Sequence, residues 1–435
     1  MNLALYAHLL ACSADGSKSP GEAVSDGDVE TDTDVDVDTD TDTDTPTEVT
    51  PPCADGTWGL ISSTEAVHVR ADGDDGADGS ASAPVATLAR ALALVREDGA
   101  PRRIAVGPGT YAVALELEGE TADHAADDGL ALEACGAGEV VFEAADPDAS
   151  VVTVSRATDV VLAGFTISGG TRALKVWNGA SVVATALDVT GAAGAGIVFD
   201  GDDCLVDLSE VTVRDTLATE IDGVEVGYGI SVNLATVTMS GGGVWGTTAA
   251  GILGEGATIE LVDVTVADTA ATADGYYGRG VQVQEQGTLA ASGVTLTGNA
   301  DAGLFALRAF STSLDGLTVD ATSASAVPDL SGITTGDGVV VTQGDAAYDP
   351  ATFLTALTGS DVADSARAGV LFDGVTADVS GNSVAGSGYD VGGVSILCQG
   401  GTKMTGTDAW VVLEDAGESP LDLNTTPLSV VTATP

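Results

Sequence analysis

The chain is 435 residues long and carries 14 Lys+Arg against 66 Asp+Glu, a formal charge of −52 at pH 7. A potential of that sign repels phosphate backbones and anionic membranes, which excludes nucleic acid as a partner. It also calls for screening: either cations such as Ca2+ bind the surface or a salty medium bathes it, or the acidic groups are solvated with no specific ion.

In chain order, Leu3 to Ala11 form a short apolar run that ends at Cys12. Leu9-Leu10-Ala11-Cys12 resembles a bacterial lipobox, in which signal peptidase cuts before the cysteine and that cysteine carries the lipid. The resemblance implies lipidation at Cys12 and an extracytoplasmic protein, anchored in the outer membrane or secreted. No basic n-region precedes the run. No later apolar stretch approaches the length of a membrane span, so attachment to a bilayer is expected only through the lipid. Residues 13–52, with Val35-Asp36-Val37-Asp38-Thr39-Asp40-Thr41-Asp42, hold almost no large apolar groups, and their like charges keep them extended. They are expected to form a disordered acidic tether. The Asp-x-Asp spacing lacks the glycine turn and closing glutamate of an EF-hand loop, so no formed Ca2+ site is expected there.

Residues 53–150 are expected to supply an N-terminal cap and the first coils of a solenoid. Val67-His68-Val69 reads as a strand, Asp72-Gly73-Asp74-Asp75-Gly76 as a turn, and Pro84 to about Glu97 as a helix with proline in its first turn. Val85, Leu88, Ala91, Leu92 and Val95 share one face of that helix. A second strand, Ile104-Ala105-Val106, runs into Gly107-Pro108-Gly109-Thr110-Tyr111. This strand, Gly/Asp turn, Pro-started helix and Pro-Gly-Thr-Tyr ending resemble the opening of bacterial pectin-lyase-like β-helix proteins. The resemblance covers about 45 residues; it implies the fold and is silent on activity. A helix laid across the first coil also has a physical purpose, because an open solenoid end exposes apolar core and unpaired backbone.

From Val151 to about 408 a repeat governs the chain. Gly-apolar clusters return at Gly196, Gly229, Gly251, Gly280, Gly303, Gly338, Gly369 and Gly393. The period is in the low twenties, stretched by insertions to roughly thirty-five residues, with no helical pattern inside it. Each cluster is followed by an alternating run such as Val160–Ile167, Val182–Val189 or Ile259–Val266, which places Val, Leu and Ile inward and Thr, Asp or Ser outward. The expected fold is all-β, a right-handed single-stranded parallel β-helix of roughly ten coils. The glycines are expected at equivalent turn positions, and residues 409–435 as a C-terminal cap. Of the cysteines apart from Cys12, Cys204 and Cys398 lie about seven coils apart, beyond disulfide reach. Cys53–Cys135 is then the pairing expected of an exported chain, with Cys204 and Cys398 as core fillers.

The insertions fall at one register, Leu217–Val226, Thr269–Gly278 and Ala321–Thr335, and so emerge on one flank. They carry Glu220, Asp222, Glu225, Asp274, Tyr276, Tyr277 and Asp329. Carboxylates with aromatics suit saccharides, whose hydroxyls donate to the acids while their ring faces lie on aromatic rings; solvated loops tolerated on a solenoid flank are the alternative. Arg279, beside Asp274, is the basic group available to a polysaccharide lyase, which would pair it with carboxylate-bound Ca2+; an ion pair is the competing reading. Arg172 and Arg279 stand about four coils apart, near 20 Å, and cannot share one substrate carbon. Asp200-Gly201-Asp202-Asp203 looks like the clustered aspartates of glycoside hydrolases, without the Gly-His-Gly and Arg-Ile-Lys elements that accompany them in polygalacturonases. The sequence therefore points first to a surface protein that binds or displays glycans without catalysis. The alternative is a Ca2+-assisted lyase or a hydrolase of acidic polysaccharide.

Overall fold

A computed structural model of the chain describes residues 65–119, 127–221, 224–326, 334–344, 348–413, 421 and 428. The chain divides into units 1–49 and 50–435, and the described residues belong to the second. The expectations for Cys12, the tether, Cys53, Asp222 and Asp329 lie outside the described residues.

The second unit is a right-handed parallel β-helix. Each complete coil contributes one strand to each of three parallel sheets, and the terminal coils are partial. The first sheet has 13 strands, from Val67–Val69 to Lys403–Gly406; the second has 11, from Gly109–Val113 to Ser383–Val384; the third has 12, from Leu115–Glu118 to Val411–Val412. A short antiparallel hairpin, Thr219–Ile221 with Val224–Val226, stands apart from them.

The alternating runs expected as single strands are broken in two by a corner. Val160–Ile167, for example, is strand Val160–Ala163 of the first sheet and strand Thr166–Ser168 of the second. The break comes from a left-handed residue at each first corner: Gly164, Ala186, Glu210, Gly241, Asp263, Gly293 and Gly316 all have φ between 51° and 79°. One left-handed residue turns the chain sharply, and the residue after it, such as Phe165, Leu187 or Val264, again points inward and is buried. Inward side chains stack coil upon coil, Val182 on Val206 and Val206 on Val237 in the first sheet, and Val189 on Val213 in the second. The result is one continuous apolar core.

The glycine column needs two corrections. Register pairs Gly196, Gly229, Gly251, Gly280, Gly303, Gly338 and Gly369 on successive coils, but places Ser395, not Gly393, over Gly369. Six of these seven glycines lie within third-sheet strands and Gly369 immediately precedes one, and none has the positive φ of a left-handed turn. What demands glycine is space. A Cβ on Gly280 would stand 2.6 Å from the carbonyl of Gly303 and 2.7 Å from Nδ2 of Asn299. Its counterparts would strike Val213, Val244, Val266, Val319, Val362 and Val384 of the neighbouring second-sheet strands.

The capping helix α1 spans Leu88–Val95, four residues later than Pro84. Val85 is captured instead as a bridge to Val69, and the carboxylate of Asp75 accepts the N–H groups of Ala86 and Thr87. Thr87 is then the N-cap, accepting from the N–H of Arg90. Leu88, Ala91, Leu92 and Val95 are buried against the first-sheet strands Val67–Val69 and Arg103–Val106. Arg96 ties the end of the helix to the buried carboxylate of Asp127, at 2.6 Å. Cys135 is disulfide-bonded, its partner lying outside the described residues. Cys204 and Cys398 are free, and burial pushes both thiols above the ordinary range.

Candidate functional site

The three expected insertions fall at the corner between the second and third sheets. The third corner also lengthens once, between Thr342 and Leu354, so the insertions as a whole do not share a single register. A buried column explains why the second corner tolerates them. Three residues after the central second-sheet position stand Thr216, Thr247, Thr269, Asn299, Thr322 and Ser365, all buried in register. Thr247 Oγ1 bonds Thr269 Oγ1 at 3.4 Å, the N–H of Thr269 donates to Oδ1 of Asn299, and Nδ2 of Asn299 donates to the carbonyl of Val266. The glycine column lies beside this row and leaves room for it. From Thr247 to Asn299 the corner is thus pinned from inside by hydrogen bonds, and the chain beyond it can bulge outward.

The insertions lean on one another. The N–H of Ala273 donates to Oε2 of Glu225 at 2.5 Å, Tyr276 bridges Ala326, and Ser325 Oγ donates to the carbonyl of Gly275. Loops of several coils therefore form one flank. Glu220 and Asp274 are exposed on it, Glu225 is half-buried and committed to Ala273, and Tyr276 is half-buried. Tyr277 is left-handed at φ 63° and packs against the cluster of Val198, Tyr228 and Leu253. It is not a free platform for a sugar ring.

Arg279 does not pair with Asp274. It is wholly buried, with Nε 2.5 Å from Oδ2 of Asp301 and Nη1 donating to Oε1 of Gln282 at 2.8 Å. Its guanidinium carbon lies 3.7 Å from the centroid of the Phe305 ring. Asp301 also accepts from Thr335 Oγ1, and one coil further Arg367 pairs with Asp337. Burial pushes the carboxyl of Asp337 upward against the opposing pull of Arg367. Arg172 stands four register steps from Arg279, through Ala195, Tyr228 and Ala250.

Arg279 lies on the outer face of the third sheet, and that face is dry. Tyr228, Leu253, Gln282, Gln284, Phe305, Val340, Leu371 and Leu397 point away from the core, yet none exceeds 2% exposure. Leu413, Leu421 and Leu428 pack onto them. Gln284 holds Leu428 by both main-chain groups, and Gln399 donates to the carbonyl of Leu421.

Towards the N-terminal coils the same face turns polar, and there stands a group that the sequence reading did not single out. Lys175 lies 3.9 Å from the centroid of the Trp177 ring on strand Arg172–Trp177. Burial and the neighbouring Arg172 hold its ammonium below the ordinary lysine range, against the pull of Asp200 and Glu116. Burial likewise lowers Arg172. Arg172 and Trp177 flank Lys175 on its own strand, while the carboxylates of Asp200 and Glu116 reach it from other coils. Among the described residues no three or more His, Cys, Asp or Glu side chains gather as metal ligands, and no helix is long and apolar enough to cross a membrane.

No protein-family model matches the sequence, and no curated protein matches it. Solved structures do. Pectate lyase Pel9A matches at 16% identity over 86% of this chain and 84% of that one, with a TM-score of 0.38. The catalytic unit of a thermostable GH87 α-1,3-glucanase from Streptomyces thermodiastaticus matches at 14% identity over 74% of this chain and 66% of that one, at 0.46. Alginate lyase from a Paenibacillus species matches at 14% identity over 78% of this chain and 99% of that one, at 0.38.

Proposed function

We propose that this chain is a glycan-binding β-helix of the cell exterior, held there by a lipid on Cys12 or secreted, which binds its ligand along the second-corner flank and does not transform it. The observation that carries this reading is the enclosure of Arg279. The basic group nearest the flank is spent on Asp301 and Phe305, beyond reach of a substrate. The flank keeps exposed Asp274 and Glu220 with half-buried Tyr276, acceptors and a ring edge suited to sugar hydroxyls. Ca2+ would enter as a counter-ion to this surface rather than as a reagent.

A second reading, a lyase or hydrolase of acidic polysaccharide, is favoured by Lys175. A lysine held below its ordinary range by burial and by Arg172, with two carboxylates nearby, is the kind of group that abstracts a proton from a uronate. The two readings separate in one experiment. The purified protein is run through gels containing neutral and acidic polysaccharides, with and without Ca2+, and the same mixtures are followed for ultraviolet-absorbing unsaturated products and for new reducing ends. Retardation by at least one polysaccharide, weakened by Asp274→Ala and Tyr276→Ala and without product, is the expected result. Product formation abolished by Lys175→Met would establish the second reading, and no retardation in any gel would remove the first.

A further inference from the structure

The dry outer face of the third sheet has an occupant whose chemistry repeats. Leu421 and Leu428 are each preceded by proline, in Ser419-Pro420-Leu421 and Thr426-Pro427-Leu428, so one triplet type recurs at a spacing of seven. Leu421 belongs to the buried cluster that includes Leu371 and Leu397, and Leu428 to the one that includes Val198, Tyr228 and Leu253. The two amides that hold them, Gln399 and Gln284, stand four register steps apart. At about 4.8 Å per coil that is roughly 19 Å. Seven residues reach about 23 Å when extended, so the leucine spacing matches the amide spacing.

Each amide bonds main chain. Gln284 Nε2 donates to the carbonyl of Leu428 at 2.6 Å and its Oε1 accepts the N–H of Leu428 at 3.2 Å, while Gln399 Nε2 donates to the carbonyl of Leu421 at 3.2 Å. Main-chain bonds of this kind read an extended peptide without regard to its side chains, and the two leucine seats then supply the selection. Proline before each leucine restricts the free peptide and reduces the ordering that binding demands.

We propose that the outer face of the third sheet, from Tyr228 to Leu397, is a peptide-receiving groove, and that its occupant is exchangeable: the 414–435 stretch of a second copy of this chain seats its Leu421 and Leu428 there in place of the groove's own. The inference goes beyond glycan binding and does not depend on it.

A labelled synthetic peptide of residues 414–435 tests it on the full chain. A chain carrying Leu421→Asp and Leu428→Asp, its own stretch weakened, should bind the peptide saturably and at least tenfold more tightly than the unaltered chain. A peptide bearing both substitutions should not bind, and adding Gln284→Ala to the receiving chain should weaken binding about tenfold further. No binding by a variant that keeps its β circular dichroism overturns the proposal. Should that variant fail to fold, a full chain with a specific protease site between Leu413 and Leu421 is folded first and then cut. Exchange of the released stretch for labelled peptide supports the proposal, and retention without exchange overturns it.

Discussion

The first and third sheets are built from the same coils, yet their outer faces differ. On the first, Leu205, Asp207, Thr258, Glu260, Ser313 and Leu354 stand in water. On the third, Leu253, Gln282, Phe305, Val340 and Leu371 stand in equivalent outward positions and are buried. A solenoid flank is usually wet, and here one of three has become an interface. The strands say so in their own composition. First-sheet strands alternate, as in Thr258–Val262, whereas third-sheet strands such as Ala302–Leu307 and Asp337–Thr342 are nearly continuous apolar runs, the mark of a parallel strand covered on both faces.

The comparison breaks most visibly at Arg279. Arg279→Ala leaves Asp301 buried without its ion pair and should cost about 3–5 kcal/mol of stability, measured by urea unfolding. Glu260→Ala on the wet face should shift the same curve by less than about 0.5 kcal/mol. A shift of equal size at both sites would erase the distinction.

A second test probes the seam between the second and third sheets. Gly229→Ala forces a Cβ against Val244 and within 2.6 Å of the carbonyl of Gly251, and should cost about 1–3 kcal/mol. Gly393, outside the column with open space around it, has φ 90°, so an alanine there is strained by backbone alone. Gly393→Ala should destabilise less than Gly229→Ala. The reverse order would mean that conformation rather than crowding selects the glycines.

A smaller effect is expected from Glu255, where the dry face meets the third corner. Burial raises its carboxyl above the ordinary 4.5, opposed by the hydrogen bond from Gln284. A raised acid favours the folded state when protonated, so its contribution is full below the ordinary value and is lost as pH rises through the native value. Glu255→Gln keeps an acceptor for Gln284. The variant should match the native chain at pH 4 and exceed it in thermal stability at pH 7; an equal difference at both values contradicts the assignment. Smallest of all, Thr238→Ala on the first-sheet face should leave the unfolding midpoint within about 0.5 kcal/mol of the native chain.

The sequence made the coil legible because stacking repeats it. The spacing of Gly196 through Gly369, the inward Val and Leu ladder, and the buried face of α1 all follow from local pattern. The first corner escaped because Ala186, Glu210 and Asp263 adopt left-handed backbone without the glycine that announces it. Asp301 escaped as the partner of Arg279 because 22 residues separate them and only the coil register brings them together. Lys175 escaped because Asp200 and Glu116 approach it only through the coil register, although Arg172 and Trp177 stand beside it on its own strand. The covered third-sheet face is different: its continuous apolar strands stand in the sequence, but Leu421 and Leu428, which pack on it, lie far along the chain from Tyr228 and Phe305.

Hydroxyl-radical footprinting of the full chain tests the central claim most directly, since it reads side-chain exposure residue by residue. Phe310 and Leu354, 43% and 52% exposed, should be oxidised readily, while Tyr228 and Phe305, at 0% and 2%, should be protected. Oxidation of Tyr228 and Phe305 at rates comparable to Phe310 would contradict the account, because the third-sheet face would then be open to water.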